Sequence, residues 1–223
     1  MQSEKIGADN TAPDNKLAAT RLWLAQKIEA SLPKNIVLER NPQTIKLIQE
    51  RYKLARQHAS LAIAPNDERQ FFDDLLDEIL GFGPLEKALS DDSVTEVMVN
   101  RADLVYIEQK GKIIESGITF VDDAHVERII RKIIEPLGRY VGQDSPLVDA
   151  RLPDGSRVNA VVAPCAIDGP NITIRKFSRT PFGIQDLVRF GSLNQDMADF
   201  LDACVRAKLN IVVSGGTGSG KTT

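Results

Sequence analysis

The chain has 223 residues, of which 42% are hydrophobic, 26% charged and 5% aromatic, and this apolar share excludes a wholly disordered polypeptide. No stretch approaches the roughly 20 consecutive apolar residues of a membrane-spanning helix. Lys+Arg at 28 against Asp+Glu at 31 gives a formal net charge of −3, so bulk electrostatics make no case for nucleic-acid binding.

The two cysteines, Cys165 and Cys204, lack the CxxC spacing of a zinc site and are too few for a disulfide scaffold. They are expected to be core or semi-buried thiols. The polar start MQSEKI lacks the apolar core of a signal peptide, so the cytoplasm is the expected compartment. Residues 1–65 read as a polar tail, to about residue 15, and a helical extension. Within the extension Ile45, Ile48, Tyr52 and Ala55 form a helical stripe that Pro42 can begin. Phe71, Phe72, Leu75, Leu76, Ile79 and Leu80 form a stronger stripe, with Asn66 or Asp67 as start signals and Gly81 as the stop. Asp73, Asp74, Asp77 and Glu78 alternate with it and read as its solvated face.

Residues 66–177 read as an α+β domain. Val94, Val97, Val99, Leu104, Val105, Ile107, Ile113 and Ile114 fall in short runs broken at 100–103 and 110–111, the rhythm of antiparallel strands. A helix over 122–137 follows, capped by Asp122 or Asp123 and ended by Gly138. Its buried face is Val126, Ile129, Ile130, Ile133 and Ile134. Strands return over 147–151, 156–162 and 171–177, the first two joined by the turn Pro153-Asp154-Gly155. Residues 178–183 read as a linker, since Pro181 disfavours helix at Thr180. Residues 184–223 then carry an amphipathic helix (Leu193, Met197, Phe200, Leu201, Cys204, Val205) and an apolar strand over 210–213.

That strand runs into SGGTGSGKTT, which holds G-x-x-x-x-G-K-[ST] at 215–222. The glycines let successive N–H groups turn toward phosphate oxygens. Gly215, Gly216, Thr217, Gly218, Ser219, Gly220, Lys221, Thr222 and Thr223 are therefore the candidate nucleotide-binding residues. Lys221 brings a cation to the β and γ phosphates, and the Thr222 hydroxyl is placed to ligate Mg²⁺. A flexible glycine–serine tail is the bland alternative, but it requires neither an apolar run before it nor Gly-Lys-Thr at that offset. The chain stops one residue after Thr222, before any acid for the metal or any group to orient water. These 223 residues alone are not expected to be catalytically competent.

The order of GFGPLE at 81–86, VTEVMVN at 94–100, DARLPDGSRVN at 149–159, ITIRKF at 172–177 and the P-loop resembles the type II/IV secretion ATPase superfamily. The likeness is greatest to the CpaF type of tight-adherence pilus assembly and covers about residues 71–223. The resemblance implies an α+β N-terminal domain followed by the start of an α/β RecA-like ATPase domain. It implies ATP and Mg²⁺ as ligands, a homo-hexameric ring, and a platform protein at the cytoplasmic face of the inner membrane. It also assigns Arg151, Arg157 and Arg175 as arginines that reach the nucleotide, and a guanidinium suits phosphate oxygens physically as well. The alternative is that these arginines pair with acids such as Asp149 or Asp154, with Lys176 a plain surface residue. His58 and His125 sit on predicted helices with no catalytic part. A non-enzymatic interaction module, or an unrelated P-loop kinase or DNA motor, are the competing readings of the chain as a whole.

Overall fold

The computed structural model describes residues 13–33, 36–58, 63–177 and 182–216. Most of the expected tail, most of the linker and P-loop residues Thr217–Thr223 lie outside the described residues. The backbone forms two units, Met1–Lys176 and Phe177–Thr223.

The first unit begins with three helices, α1 (Pro13–Ser31), α2 (Pro42–His58) and α3 (Glu68–Leu80). Pro42 opens α2 in its first turn, where a missing N–H costs nothing, and the Asn41 side chain accepts from the Thr44 N–H at 2.9 Å. The expected stripes bury Ile48, Tyr52, Phe71, Leu75 and Ile79 against Leu24, Ala25 and Ile28 of α1. Asp67 precedes α3 but makes no side-chain cap bond. Gly81 ends the helix by close approach, not by a left-handed turn: its φ is −119°, and a Cβ there would lie 2.5 Å from the Glu86 carboxylate.

The acids of α3 correct the sequence reading. Asp77 and Glu78 are buried, not solvated. Asp77 pairs with Arg40, and Asp74 binds Arg21 at 3.0 Å and Lys87 at 2.8 Å. Glu78 accepts from Arg128 at 3.3 Å and lies 3.1 Å from His125 Nε2. His125 Nδ1 accepts from the Val121 N–H, which leaves Nε2 as the donor to Glu78. A charge taken out of water is costly unless paired and hydrogen-bonded, and both partners come from a helix far along the chain.

That helix is α5 (Asp123–Ile134), which follows a short α4 (Glu86–Ser90) and strands β1 (Val94–Arg101), β2 (Leu104–Gln109) and β3 (Lys112–Glu115). Asp122 caps α5 by accepting from the His125 N–H at 2.7 Å. Pro136 has no N–H to continue the α ladder, so the last turn is a 3-10 helix, Glu135–Leu137, closed by Gly138 at φ 68°. Strands β4 (Leu147–Arg151), β5 (Arg157–Val161) and β6 (Asn171–Arg175) complete an antiparallel sheet of order β3-β2-β1-β6-β5-β4. The period-two residues and the apolar face of α5 share one core, including Val97, Val158, Ile174, Ile129 and Ile133. The α+β architecture matches the sequence expectation.

The second unit contains α6 (Ile184–Arg189) and α7 (Gln195–Arg206). Of α7 only Ala198 is buried, while Met197, Phe200 and Val205 are exposed, so its apolar stripe does not act as a core face among the described residues. Residues 210–213 were expected to be an apolar strand. They form none here, because no described neighbour supplies a ladder, and Val212 is 91% exposed. Cys165 is exposed, against expectation, and Cys204 is half-buried. No helix among the described residues is long and apolar enough to cross a membrane.

Two measurements probe this packing. The Tyr52 hydroxyl is buried without a hydrogen-bond partner, and an unpaired buried hydroxyl is unfavourable. Tyr52→Phe should raise stability by about 1 kcal/mol in urea titration, and a loss of that size would reveal a bond. Lys132 donates to the carbonyls of Glu78 and Ile79 at 2.6 and 2.7 Å, and burial lowers its pKa to about 8 from 10.5. Between those values the unfolded chain keeps a proton that the folded chain sheds, so this group's contribution improves as pH rises. Urea midpoints of the parent relative to Lys132→Met should climb from pH 8 to pH 10 and stay level below pH 8.

Candidate anion-binding site

Strand register builds the site. Arg151 is the Cα partner of Arg157, and Arg157 is the partner of Arg175. Glu96 of β1 continues the row beyond Arg175. Neighbouring strands lie about 4.8 Å apart, so the outer two arginine backbones are about 10 Å apart. All three arginines are exposed, on the face opposite Val158, Ala160, Ile172 and Ile174. The next row on the same face is Asp149, Asn159 and Thr173. The tight turn that brings β5 back along β4 is held by Asp154, whose carboxylate accepts from the Ser156 N–H and hydroxyl, both at 2.9 Å.

The acids proposed as partners for the arginines are engaged elsewhere. Asp149 accepts from Asn159 at 2.9 Å, and Asp154 serves the turn. Among the described residues the guanidiniums of Arg151, Arg157 and Arg175 have no ion pair or hydrogen bond. The other described arginines, Arg51, Arg69 and Arg139 apart, each have a carboxylate partner. Like charges placed directly opposite on neighbouring strands destabilise a sheet. Glu96 opposite Arg175 offsets part of this repulsion, but the stretch from Arg151 through Arg157 to Arg175 is unfavourable for the unit by itself and favourable for an anion.

The three arginines line an open cavity of about 640 Å³, together with Arg139, Asp149, Asn159 and Thr173. One acid faces four guanidiniums. Arg139 follows the Gly138 turn and was not singled out in the sequence. No local signal marks it, since only the return of the chain over the sheet brings it to the row. Lys176, read as a surface residue, donates to the Asp91 carbonyl at 2.6 Å. His125 is a buried packing and hydrogen-bonding residue. Of the P-loop, Gly215 and Gly216 are described, and Thr217, Gly218, Ser219, Gly220, Lys221, Thr222 and Thr223 are outside the described residues.

A family model described as "Type II/IV secretion system protein" matches residues 78–223. The chain belongs to that family. An uncharacterized protein of Methanocaldococcus jannaschii is 42% identical over 148 residues, which are 63% of this chain and 20% of that protein. The conjugal transfer protein TrbB of Rhizobium radiobacter is 30% identical over 137 residues, 61% of this chain and 42% of that protein. The chain thus spans less than half the length of either. The crystal structure of the VirB11 ATPase from the Brucella suis type IV secretion system is 28% identical and superposes with a TM-score of 0.46, over 62% of this chain and 48% of that one.

Arg157 stands between two like charges, so removing its charge separates a structural role from a ligand-binding one. At low salt Arg157→Gln should raise the unfolding free energy from urea titration by roughly 0.5 kcal/mol, and the gain should fade in 1 M salt, where the Debye length is about 3 Å. A loss of stability at every salt concentration would mean that Arg157 has a structural partner.

Proposed function

We propose that this chain is the front part of an ATP-driven motor subunit of a secretion or pilus-assembly system, of the CpaF type. Membership of the type II/IV secretion family supports the setting, and the G-x-x-x-x-G-K-T sequence at 215–222 supports a nucleotide as ligand. The observation that carries the reading is the unpaired row Arg151, Arg157 and Arg175. Three cations held abreast with no ion pair of their own suit a phosphate chain.

On this reading the P-loop amides and Lys221 hold the β and γ phosphates. Mg²⁺, held through the Thr222 hydroxyl, would supply charge neutralisation at the phosphate oxygens. The arginine row adds guanidinium charge where negative charge builds as water attacks the γ-phosphate. The same reading proposes a homo-hexameric ring at the cytoplasmic face of the inner membrane, working on a membrane platform protein, with no nucleic acid as ligand.

The test is steady-state ATP hydrolysis by the full-length protein that carries this segment. Lys221→Ala should lower kcat at least about 100-fold, and Arg157→Ala or Arg175→Ala should lower it by about 100- to 1000-fold with ATP affinity much less changed. Undiminished turnover in Lys221→Ala would defeat the assignment.

A further inference from the structure

The arginine row leaves one cation unexplained. Arg139 comes from a different part of the chain than the strands, on the loop after α5, yet it lines the same cavity. Its backbone is fixed by the Gly138 turn and by the bond from its N–H to the Ile134 carbonyl at 3.2 Å. Its side chain is exposed and has no ion pair or hydrogen bond among the described residues. Asp149 is the one acid lining the cavity, and it takes a hydrogen bond from Asn159 but no ion pair among the described residues. Four of the six described arginines without a carboxylate partner therefore surround one opening; the other two, Arg51 and Arg69, lie on α2 and α3.

We propose that Arg139 is a fourth anion-binding residue, which with Arg151, Arg157 and Arg175 makes a site for a condensed-phosphate chain that works without the P-loop lysine. The inference rests on the motor reading for the identity of the anion, and on the cavity for the site itself. The row offers a line of charge across three strands, and Arg139 approaches from the loop side, so the chain of phosphates is contacted from more than one direction. Asn159 and Thr173 on the adjacent row offer neutral donors. A single phosphate would engage only part of this set. An extended nucleic acid is disfavoured by the overall charge of −3 and by the gathering of four of the six free arginines in one cavity.

The experiment is calorimetric titration of the whole 223-residue chain with inorganic tripolyphosphate at 50 and 200 mM salt, in the parent, in Lys221→Ala and in Arg139 variants. In Lys221→Ala, which removes the P-loop's own cation from the phosphates, tripolyphosphate binding should weaken but persist. Arg139→Ala should weaken binding about 10-fold and lessen its salt dependence, with Arg139→Lys in between. Arg139 is exposed, so thermal melts of the variants should match the parent and exclude misfolding. Parent-like affinity in Arg139→Ala overturns its assignment. Loss of binding in Lys221→Ala, or no binding in any variant, overturns the autonomous site while ATP hydrolysis still decides the motor reading. Tighter binding of a single-stranded oligonucleotide with the same arginine dependence overturns the ligand class. Equal affinity for orthophosphate and tripolyphosphate would reduce the site to a single-anion contact and likewise overturn it.

Discussion

The pairing of β4, β5, β6 and β1 imposes one register on two faces that want different things. On the covered face Val97 and Ile174, Val158 and Ile174, and Ala160 and Ile172 are Cα partners in continuous apolar rows. Each fully buried Val or Ile side chain is worth about 1.5–3 kcal/mol, whereas a like-charged cross-strand pair costs only a few tenths to about 1 kcal/mol. Burial therefore decides the register. The arginines come abreast as a consequence, since a slip by one residue would exchange the two faces entirely. A sheet with a strong core can carry a repulsive row on its open side.

The same balance explains the charged residues beneath the helices. Glu78 lies among α1, α3 and α5, held by His125 and Arg128, and Arg128 in turn binds both oxygens of Glu29 on α1 at 2.9 Å. Lys132, one turn further along α5, caps the end of α3 through two carbonyls. A cluster of this kind contributes little net stability over a hydrophobic equivalent, but breaking one member leaves a buried charge and costs far more. Here its members tie one face of α3 to α5 through His125, Arg128 and Lys132.

What the sequence revealed, and what it hid, follows from how far each interaction reaches along the chain. Strand rhythm, the Pro153-Asp154-Gly155 turn, the Asp122 cap and the Gly138 stop are local, and the structure has each of them. The row of three arginines was half legible: the residues could be named, but their adjacency required the register. Asp77 and Glu78 were misread because a helical stripe tells which side is apolar, not whether a distant guanidinium waits on the other. Arg139 was invisible, since its place beside the sheet depends on how the loop after α5 returns. The apolar residues of α7 and of 210–213 failed in the opposite sense. Their patterns report a capacity for burial, and burial needs a partner that the described residues do not provide.

An unpaired charge row also changes what binding means for this unit. Most sites bind by making contacts in a scaffold whose stability is settled without them. An anion bound at the row would both make new contacts and remove a repulsion that the sheet carries without it. Ligation and stability are therefore linked more tightly than contact energy alone requires, and any anion that binds only the folded unit stabilises it by RT ln(1 + [L]/Kd). The strands that would relax least in the absence of ligand are β5 and β6, each paired on both sides. β4 is an edge strand carrying Arg151, with pairing on one side only. Repulsion is consequently best relieved by movement of β4, and an anion that bridges Arg151 to Arg157 would hold that edge in place. The edge position would thus make Arg151 the member of the row whose order depends most on a bound anion, and Arg157, between two like-charged neighbours, is the member that feels the most repulsion.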